Sequence, residues 1–533
     1  MELSRQDRID PSLSIMVGPG DPDLGRAPDH IRSVPHFFEL MASDAPWLRF
    51  EGHVYTVADI WTQAAEWASS IRLHGIGPGD CVALLMCNRP EFIISWLAVN
   101  MTGATAAFVP VAAAESGLER YFASIRPQLA IFEAELGAEL LADGAGLRQL
   151  APDVFMRALN GRSASDPIAD EAPSPSDVSC LVFTSGSSGP PKAVAFSHRY
   201  VLELGYHIAH GKGMQPAEKL YFCNPLFHGD GLIATITTVS LKGEMHLARR
   251  FSVRQFWSDV ASYGSTMFYY VGASLSFLAR NPFPETPPRH SLRFATGGGA
   301  TEAVATLFEE RFGIPVLDAY SQTECLCCCS NTLGARRKGT VGRPYPGMEV
   351  RIVDDLDQPV PRGTVGNIVV RPPRPFMTFS GYLNNAEATL VKQRNLFHHM
   401  GDKGVMDEDG YVRFAGRAAQ GLRRRGENLQ PDDIEELVEK LPWVNKAAAI
   451  GVASEHGDQD ILILIVVEGQ APDQATLVAD CLAALPRIMR PRWIEVVASL
   501  PMTPTHRLAR KELPEAPGAG AFLVEQPDAS APA

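Results

Sequence analysis

The chain has 533 residues, 45% of them hydrophobic and 20% charged, which excludes wholesale disorder and predicts three or four packed units at about 150 residues each. Its 48 Lys and Arg against 61 Asp and Glu leave a net charge of −13, which argues against nucleic acid or a membrane surface as a partner. The 9 cysteines are odd in number and bunched at Cys325, Cys327, Cys328 and Cys329, so no disulfide frame is expected and the setting reads as reducing and cytoplasmic.

Residues 1–35 read as a loose polar lead-in, and MELSRQDRID lacks the apolar core of a signal peptide. From Val54 to Val109 helical patterns alternate with short apolar strands such as CVALLM, which predicts an α/β unit around a largely parallel sheet. Phe92 to Ala114 carries no charge, but Asn100, Gly103 and Pro110 interrupt it and Pro90-Glu91 marks a helix start. A buried helix followed by a buried strand is expected there, not a membrane span. Residues 161–176 read as a Pro/Ser-rich surface loop. A second alternating region runs from Val178 to Tyr345, followed by shorter β pieces, EVRIVDD, GNIVVRPP and GYVRFAGR. Residues 420–512 read as a small α+β unit, with PDDIEELVEKL as a helix and AAAIGVA and ILILIVVE as strands, and 513–533 as a disordered tail.

The strongest chemical signal is the strand CLVF running into Thr184-Ser185-Gly186-Ser187-Ser188-Gly189-Pro190-Pro191-Lys192. Small residues let backbone N–H groups approach an anion, and hydroxyls and a terminal Lys add donors. It is not a Walker A loop, since GxxxxGK[ST] is absent. Tyr320-Ser321-Gln322-Thr323-Glu324 follows the strand PVLDA; an aromatic can stack on a base, a Thr can bond phosphate and a Glu can hold Mg²⁺. Asp402, in Met400-Gly401-Asp402, offers a carboxylate to a ribose diol, and Gly416-Arg417 closes another strand. Each is weak alone, but the order is informative.

In that order these segments resemble the acyl-adenylate-forming enzymes: acyl-CoA synthetases, peptide-synthetase adenylation domains and luciferases. The likeness spans roughly residues 35–512 and is strongest to acyl-CoA ligases, through NPLFHGDG (224–231), RRFSVRQFWSDVASYGSTMF (249–268) and ATGGGA (295–300). The resemblance implies an α/β fold with a large N-terminal domain, 36–419, of two doubly wound sheets plus a small β-barrel. A hinge at Gln420 and a small mobile α+β domain, 420–512, would follow. Thr184 to Lys192 would hold phosphate. Gly297, Gly298 and Gly299, with Asp318, Ala319, Tyr320 and Ser321, would line the adenine and acyl site. Thr323 would bond the α-phosphate, Glu324 and Thr184 would serve Mg²⁺, and Asp402 and Arg417 would hold the ribose. His228 would stand where the acyl pocket meets the pantetheine tunnel, and Gly426 and Glu427 would enter the site when CoA reacts. Arg423 and Arg424 would meet CoA phosphates.

The family's reaction has two steps: acid and ATP give acyl-AMP, then the CoA thiolate displaces AMP. The C-terminal family pattern P-x-T-x-x-G-K reads here Pro501-Met-Thr-Pro-Thr-His506-Arg507, so Arg507 stands at the adenylation lysine. A forked guanidinium does not place one point charge between two oxygens as Lys does, and losing such a donor costs about 10²–10³ in rate. Gln420, Ala193 and Ser321 are milder departures. Loss of the first-step Lys beside intact second-step residues resembles the non-adenylating acyl-CoA ligases of diterpenoid antibiotic pathways, the platensimycin/platencin type. A separate adenylating enzyme would then supply acyl-AMP, and Mg²⁺ would be dispensable. The alternatives are an ordinary two-step synthetase, a non-catalytic acyl-adenylate-binding protein and, from another class, a luciferase-type oxidase. The cysteines show no metal-like spacing. With Phe268, Tyr269, Tyr270 and Gly272 they suggest a roomy apolar pocket and a bulky hydrophobic acid. A homodimer is compatible with the sequence.

Overall fold

The computed structural model describes residues 10–524 apart from 11, 22, 24, 112, 114–117, 134–147, 151–172, 185–190, 282–288, 418–421, 425, 426, 430, 454–458, 487, 488 and 504–507. Two sheets carry the large part of the chain. One has seven strands, ordered Gly381–Tyr382, Lys192–Ser197, Val178–Thr184, Thr105–Phe108, Cys81–Leu85, Leu129–Phe132 and Arg148–Leu150. Its last five strands run parallel and its first two join antiparallel. The other has nine strands, with a parallel centre made of Val316–Gln322, Phe294–Gly298, Met267–Val271, Lys219–Phe222, Glu244–Leu247 and Pro46–Phe50. An antiparallel five-stranded sheet, from Ile15–Val17 to Val412–Arg417, supplies the small β unit. One hydrophobic cluster runs across all three sheets, and a second backs the nine-stranded sheet.

The apolar run at Phe92–Ala114 behaves as read. Pro90 opens the helix Pro90–Met101, in which every residue after Glu91 is buried, and the strand Thr105–Phe108 follows in the sheet interior. Trp96 and Asn100 on that helix bond to Ser179 of the neighbouring strand, so its polar atoms are satisfied where no water reaches. Among the described residues no helix is long and apolar enough to cross a membrane.

The C-terminal unit has its own core. The strands Val444–Ala453, Gln459–Val467, Trp493–Val496 and Phe522–Leu523 form one sheet, covered by the helices Pro431–Glu439 and Gln474–Ala484.

Two expectations need correction. The lead-in is not loose where it is described: Ile15–Val17 pairs with Glu349–Arg351, Ala27 and Ile31 are buried, and Arg199 Nη2 donates to the Ala27 carbonyl at 2.5 Å. The tail is ordered as far as Val524: Phe522 and Leu523 pair with Ile494 and Trp493, and Leu513 and Val524 are buried. Of the Pro/Ser-rich loop, residues 161–172 lie outside the described residues.

Candidate active site

The hydroxyl- and glycine-rich segment closes a hairpin. Val178–Thr184 and Lys192–Ser197 pair antiparallel, and Thr184 stands opposite Lys192. Ser185, Gly186, Ser187, Ser188 and Gly189 lie between them, outside the described residues. The register alone sets the two ends of the loop side by side at the tip of the seven-stranded sheet.

Lys192 is steered by a tyrosine that the sequence reading passed over. The short strand Gly381–Tyr382 adds to Lys192–Ser197, pairing Tyr382 with Val194. The Lys192 ammonium lies 5.2 Å from the Tyr382 ring centroid, a cation–π contact. The Tyr382 hydroxyl donates to Glu324 Oε1. Glu324 is buried at 7% exposure, and its turn is pinned by its own carbonyl, which accepts from Phe379 N at 2.9 Å. Tyr200 OH, in turn, accepts from Leu326 N at 3.0 Å. Tyr382 therefore ties Lys192, at one end of the strand pair Val178–Thr184 and Lys192–Ser197, to the carboxylate of the Tyr320–Glu324 segment.

A second knot forms at Asp402, which is 5% exposed. Its Oδ2 accepts from the Tyr320 hydroxyl and from Gln322 Nε2, each at 2.6 Å. Lys392 Nζ donates to Gln322 Oε1 at 3.2 Å and to the Met400 carbonyl at 2.8 Å. Asp402 also faces Arg417 across the strand pair, though the Arg417 side chain is outside the description. Burial and the Asp402 charge push the Tyr320 phenol well above its ordinary range, so it remains a donor.

The glycine turn packs directly on the next strand. A Cβ on Gly297 would lie 2.0 Å from the Tyr270 carbonyl oxygen, and one on Gly272 would lie 2.0 Å from that of Gly299. No side chain fits either contact. Gly298 lies beside the Ala319 carbonyl, and Gly299 has φ +86. Asp318 anchors the turn: its Oδ1 accepts from Tyr270 OH at 2.7 Å and from Ala300 N at 3.1 Å. Burial pushes its carboxyl up to about 7, against the hydrogen bond from Tyr270 and the nearby Lys212 charge. A small pocket of about 20 Å³ opens beside Ala300 and Asp318. Ser321 is exposed and Thr323 half-buried at the rim of the same segment.

His228 precedes the helix Gly229–Ser240, and a Cβ on Gly229 would lie 2.7 Å from Leu326, two residues past Glu324. Thr184, Lys192, Gly298, Gly299, Asp318, Ala319, Tyr320, Ser321, Thr323 and Glu324 thus lie on or beside strands of the two large sheets, His228 at the start of a helix, and Asp402 on the five-stranded sheet, tied to Tyr320 by its hydrogen bond. Gly426, His506, Arg507 and Gln420 lie outside the described residues. Arg423 and Arg424 pair in a hairpin with Asn428 and Glu427, and their side chains are outside the description. Met502 and Leu508 form an antiparallel bridge, and Arg510 Nη1 and Nη2 bond Glu435 at 2.8 and 2.7 Å.

The roomy aromatic pocket needs correction. Phe268 and Tyr270 face the second cluster, behind the sheet, and only Tyr269 faces the main one. Cys325, Cys328 and Cys329 are fully buried in the main core. Among the described residues no group of three or more His, Cys, Asp or Glu could hold a metal ion.

Residues 39–383 match the profile of the AMP-binding enzyme family, and residues 433–507 match that of the AMP-binding enzyme C-terminal domain. A sulfoacetate–CoA ligase of Cupriavidus necator is 29% identical, covering 90% of this chain and 99% of its own. A probable CoA ligase of Humulus lupulus, CCL9, is 30% identical, covering 84% of this chain and 89% of its own. The solved structure of ATP-bound MatB from Rhodopseudomonas palustris superposes with TM-score 0.81 at 24% identity, over 90% of this chain and 97% of that one.

Proposed function

The chain belongs to the AMP-binding enzyme family and is of the acyl-CoA ligase type, and from that premise we propose that it makes an acyl-CoA thioester by the second half-reaction, acyl-AMP plus CoA giving acyl-CoA plus AMP. The observation that carries this reading is Arg507 at the adenylation lysine, beside a large-domain site whose Lys192–Tyr382–Glu324 and Tyr320–Gln322–Asp402 contacts are complete. A partner enzyme then supplies the adenylate. The relatives' names cover sulfoacetate, oxalate and medium- and long-chain fatty acids, so they do not single out one acid.

In this reading the adenine stacks on Tyr320, whose ring is held by its bond to Asp402. Asp402 and Arg417 take the ribose hydroxyls. The Thr184–Lys192 hairpin and Thr323 surround the α-phosphate. The CoA sulfur attacks the acyl carbonyl near His228, the bond from carbonyl carbon to phosphate oxygen breaks, and AMP leaves with the electron pair. Positioning and charge placement dominate, because an acyl phosphate is already a good electrophile. The domain that carries Gly426 and Arg507, residues 420–512, turns about Gln420 to bring Gly426 to the pantetheine. Glu324 and Thr184 are oxygen donors of the kind Mg²⁺ takes together with substrate phosphates, so they fit that ion. It would neutralise phosphate charge, which matters chiefly for the ATP step.

The test is thioester formation from two feeds, acid with ATP and Mg²⁺ or preformed acyl-adenylate, for wild type and for Arg507→Lys with and without His506→Gly. Product from the adenylate alone in wild type, with the ATP route gained about 10²–10³-fold on restoring Lys, is the expected result. Efficient product from acid and ATP in wild type would establish the ordinary two-step synthetase instead. Tight adenylate binding without CoA-dependent AMP release would leave a binding protein.

A further inference from the structure

Gln322 sits between two charges. Its Nε2 donates to Asp402 Oδ2 at 2.6 Å, and its Oε1 accepts from Lys392 Nζ at 3.2 Å. A carboxylate only accepts and an ammonium only donates, so both neighbours impose the same orientation on the amide. Lys392 also donates to the Met400 carbonyl at 2.8 Å, and Met400 shares the strand His398–Met406 with Asp402. The contacts therefore close a ring, from Asp402 to Gln322, Lys392 and Met400 and back along the strand. Gln322 and Lys392 are half-buried, with Ser321 exposed beside them, so the ring is open to solvent along one side.

A carboxylate offers about four lone pairs, divided between its oxygens. The Tyr320 hydroxyl also donates to Asp402 Oδ2, again at 2.6 Å. Two short, charge-assisted bonds on one oxygen occupy both of its lone pairs. A ribose diol gripped by both oxygens of a carboxylate needs a lone pair on each. On Oδ2 that would require Tyr320 or Gln322 to let go, and Gln322 is held from behind by Lys392.

We propose that Gln322, braced by Lys392, is a positioning residue: it keeps Asp402 Oδ2 filled, so that Asp402 meets the ribose through Oδ1 alone and reads one of the two ribose hydroxyls. The proposal rests on the reading of Asp402 as a ribose ligand and narrows it. A Met at 322 would leave Oδ2 with a lone pair open, and Asp402 would then grip both hydroxyls.

The test is calorimetry of the full-length protein with AMP, 2′-deoxy-AMP and 3′-deoxy-AMP. In the wild type one deoxy analogue is expected to bind about tenfold to hundredfold more weakly than AMP, as for loss of a hydrogen bond to a charged group, and the other within about threefold. In Gln322→Met the smaller penalty should rise to about tenfold while the larger one stays. Lys392→Met should move it the same way by less, because Gln322 keeps its bond to Asp402 and loses only its brace. A merely structural role would weaken all three nucleotides alike and leave their ratios unchanged, and that result would overturn the proposal. Equal and large penalties in the wild type would also overturn it, while the ribose role of Asp402 would stand; the wild type alone thus decides if the variants do not fold. Indifference of the wild type to both hydroxyls, or no binding of AMP at all, would overturn the proposal and that ribose role together.

Discussion

Asp402 and Lys212 are both buried charges, and the chain treats them in opposite ways. Asp402 receives two donors at 2.6 Å on a single oxygen, from Tyr320 and from Gln322, the second itself held by Lys392. Lys212 receives one hydroxyl and the face of a ring. The first arrangement is finished before any ligand arrives, and such preorganisation suits a ligand group that never changes. The second leaves the ammonium one hydroxyl acceptor and a ring face in packed core, a costly way to bury a charge. The contrast teaches that this chain surrounds one buried charge with partners and leaves the other nearly bare.

The largest effect should come from undoing the finished side. Asp402→Ala strands the Tyr320 hydroxyl and the Gln322 amide, and acyl-adenylate turnover should fall about 10²–10³-fold. Binding of AMP by calorimetry checks it: an affinity within threefold of wild type would mean the knot is scaffolding and the contrast is false. Tyr382→Phe is the next step down. It keeps the ring under Lys192 and removes only the donor to Glu324, so a loss of about tenfold is expected, near the worth of one charge-assisted hydrogen bond. Tyr382→Ala also removes the ring and should lose about tenfold more. Equal rates for the two variants would show that the ring contact contributes nothing.

The finished side was largely legible in the sequence because its parts are local. A Ser/Gly loop between strands, an aromatic four residues before a Glu and a Met-Gly-Asp triplet each need only a few neighbours to be read. Tyr382 was not legible, since its link to Glu324 comes from a two-residue strand joining Lys192–Ser197. The facing of Phe268 and Tyr270 was missed for a similar reason: in MFYYV every position is apolar, so a strand buried on both faces shows no alternation. The lead-in and tail pair through strands of three and two residues, too short to leave a period in the sequence. Nothing local to Lys212, set in GKGMQPAEK, shows its burial, because Tyr269 and Thr296 come to it from distant strands.

The smallest effect is on stability, and its sign is informative. Burial lowers the Lys212 pKa from 10.5 to about 8, while Asp318 and Asp230 oppose the shift. Above pH 10.5 the amine is neutral in both the folded and unfolded chain and carries no penalty. Between the folded and unfolded values the unfolded chain binds a proton that the fold does not, so stability rises with pH across that window. Below about 8 both forms are charged and the full penalty applies, about 3 kcal/mol from the size of the shift. Lys212→Met removes that penalty but also loses the Thr296 bond and the Tyr269 contact, each worth about 1 kcal/mol. The variant should therefore melt slightly above wild type at pH 7, and the gain should vanish and reverse as the pH climbs toward 10. Scanning calorimetry of the two proteins across that range checks it. A variant that melts lower at every pH, by a constant interval, would show that the fold needs this ammonium, and Lys212 would then belong with Asp402 on the finished side.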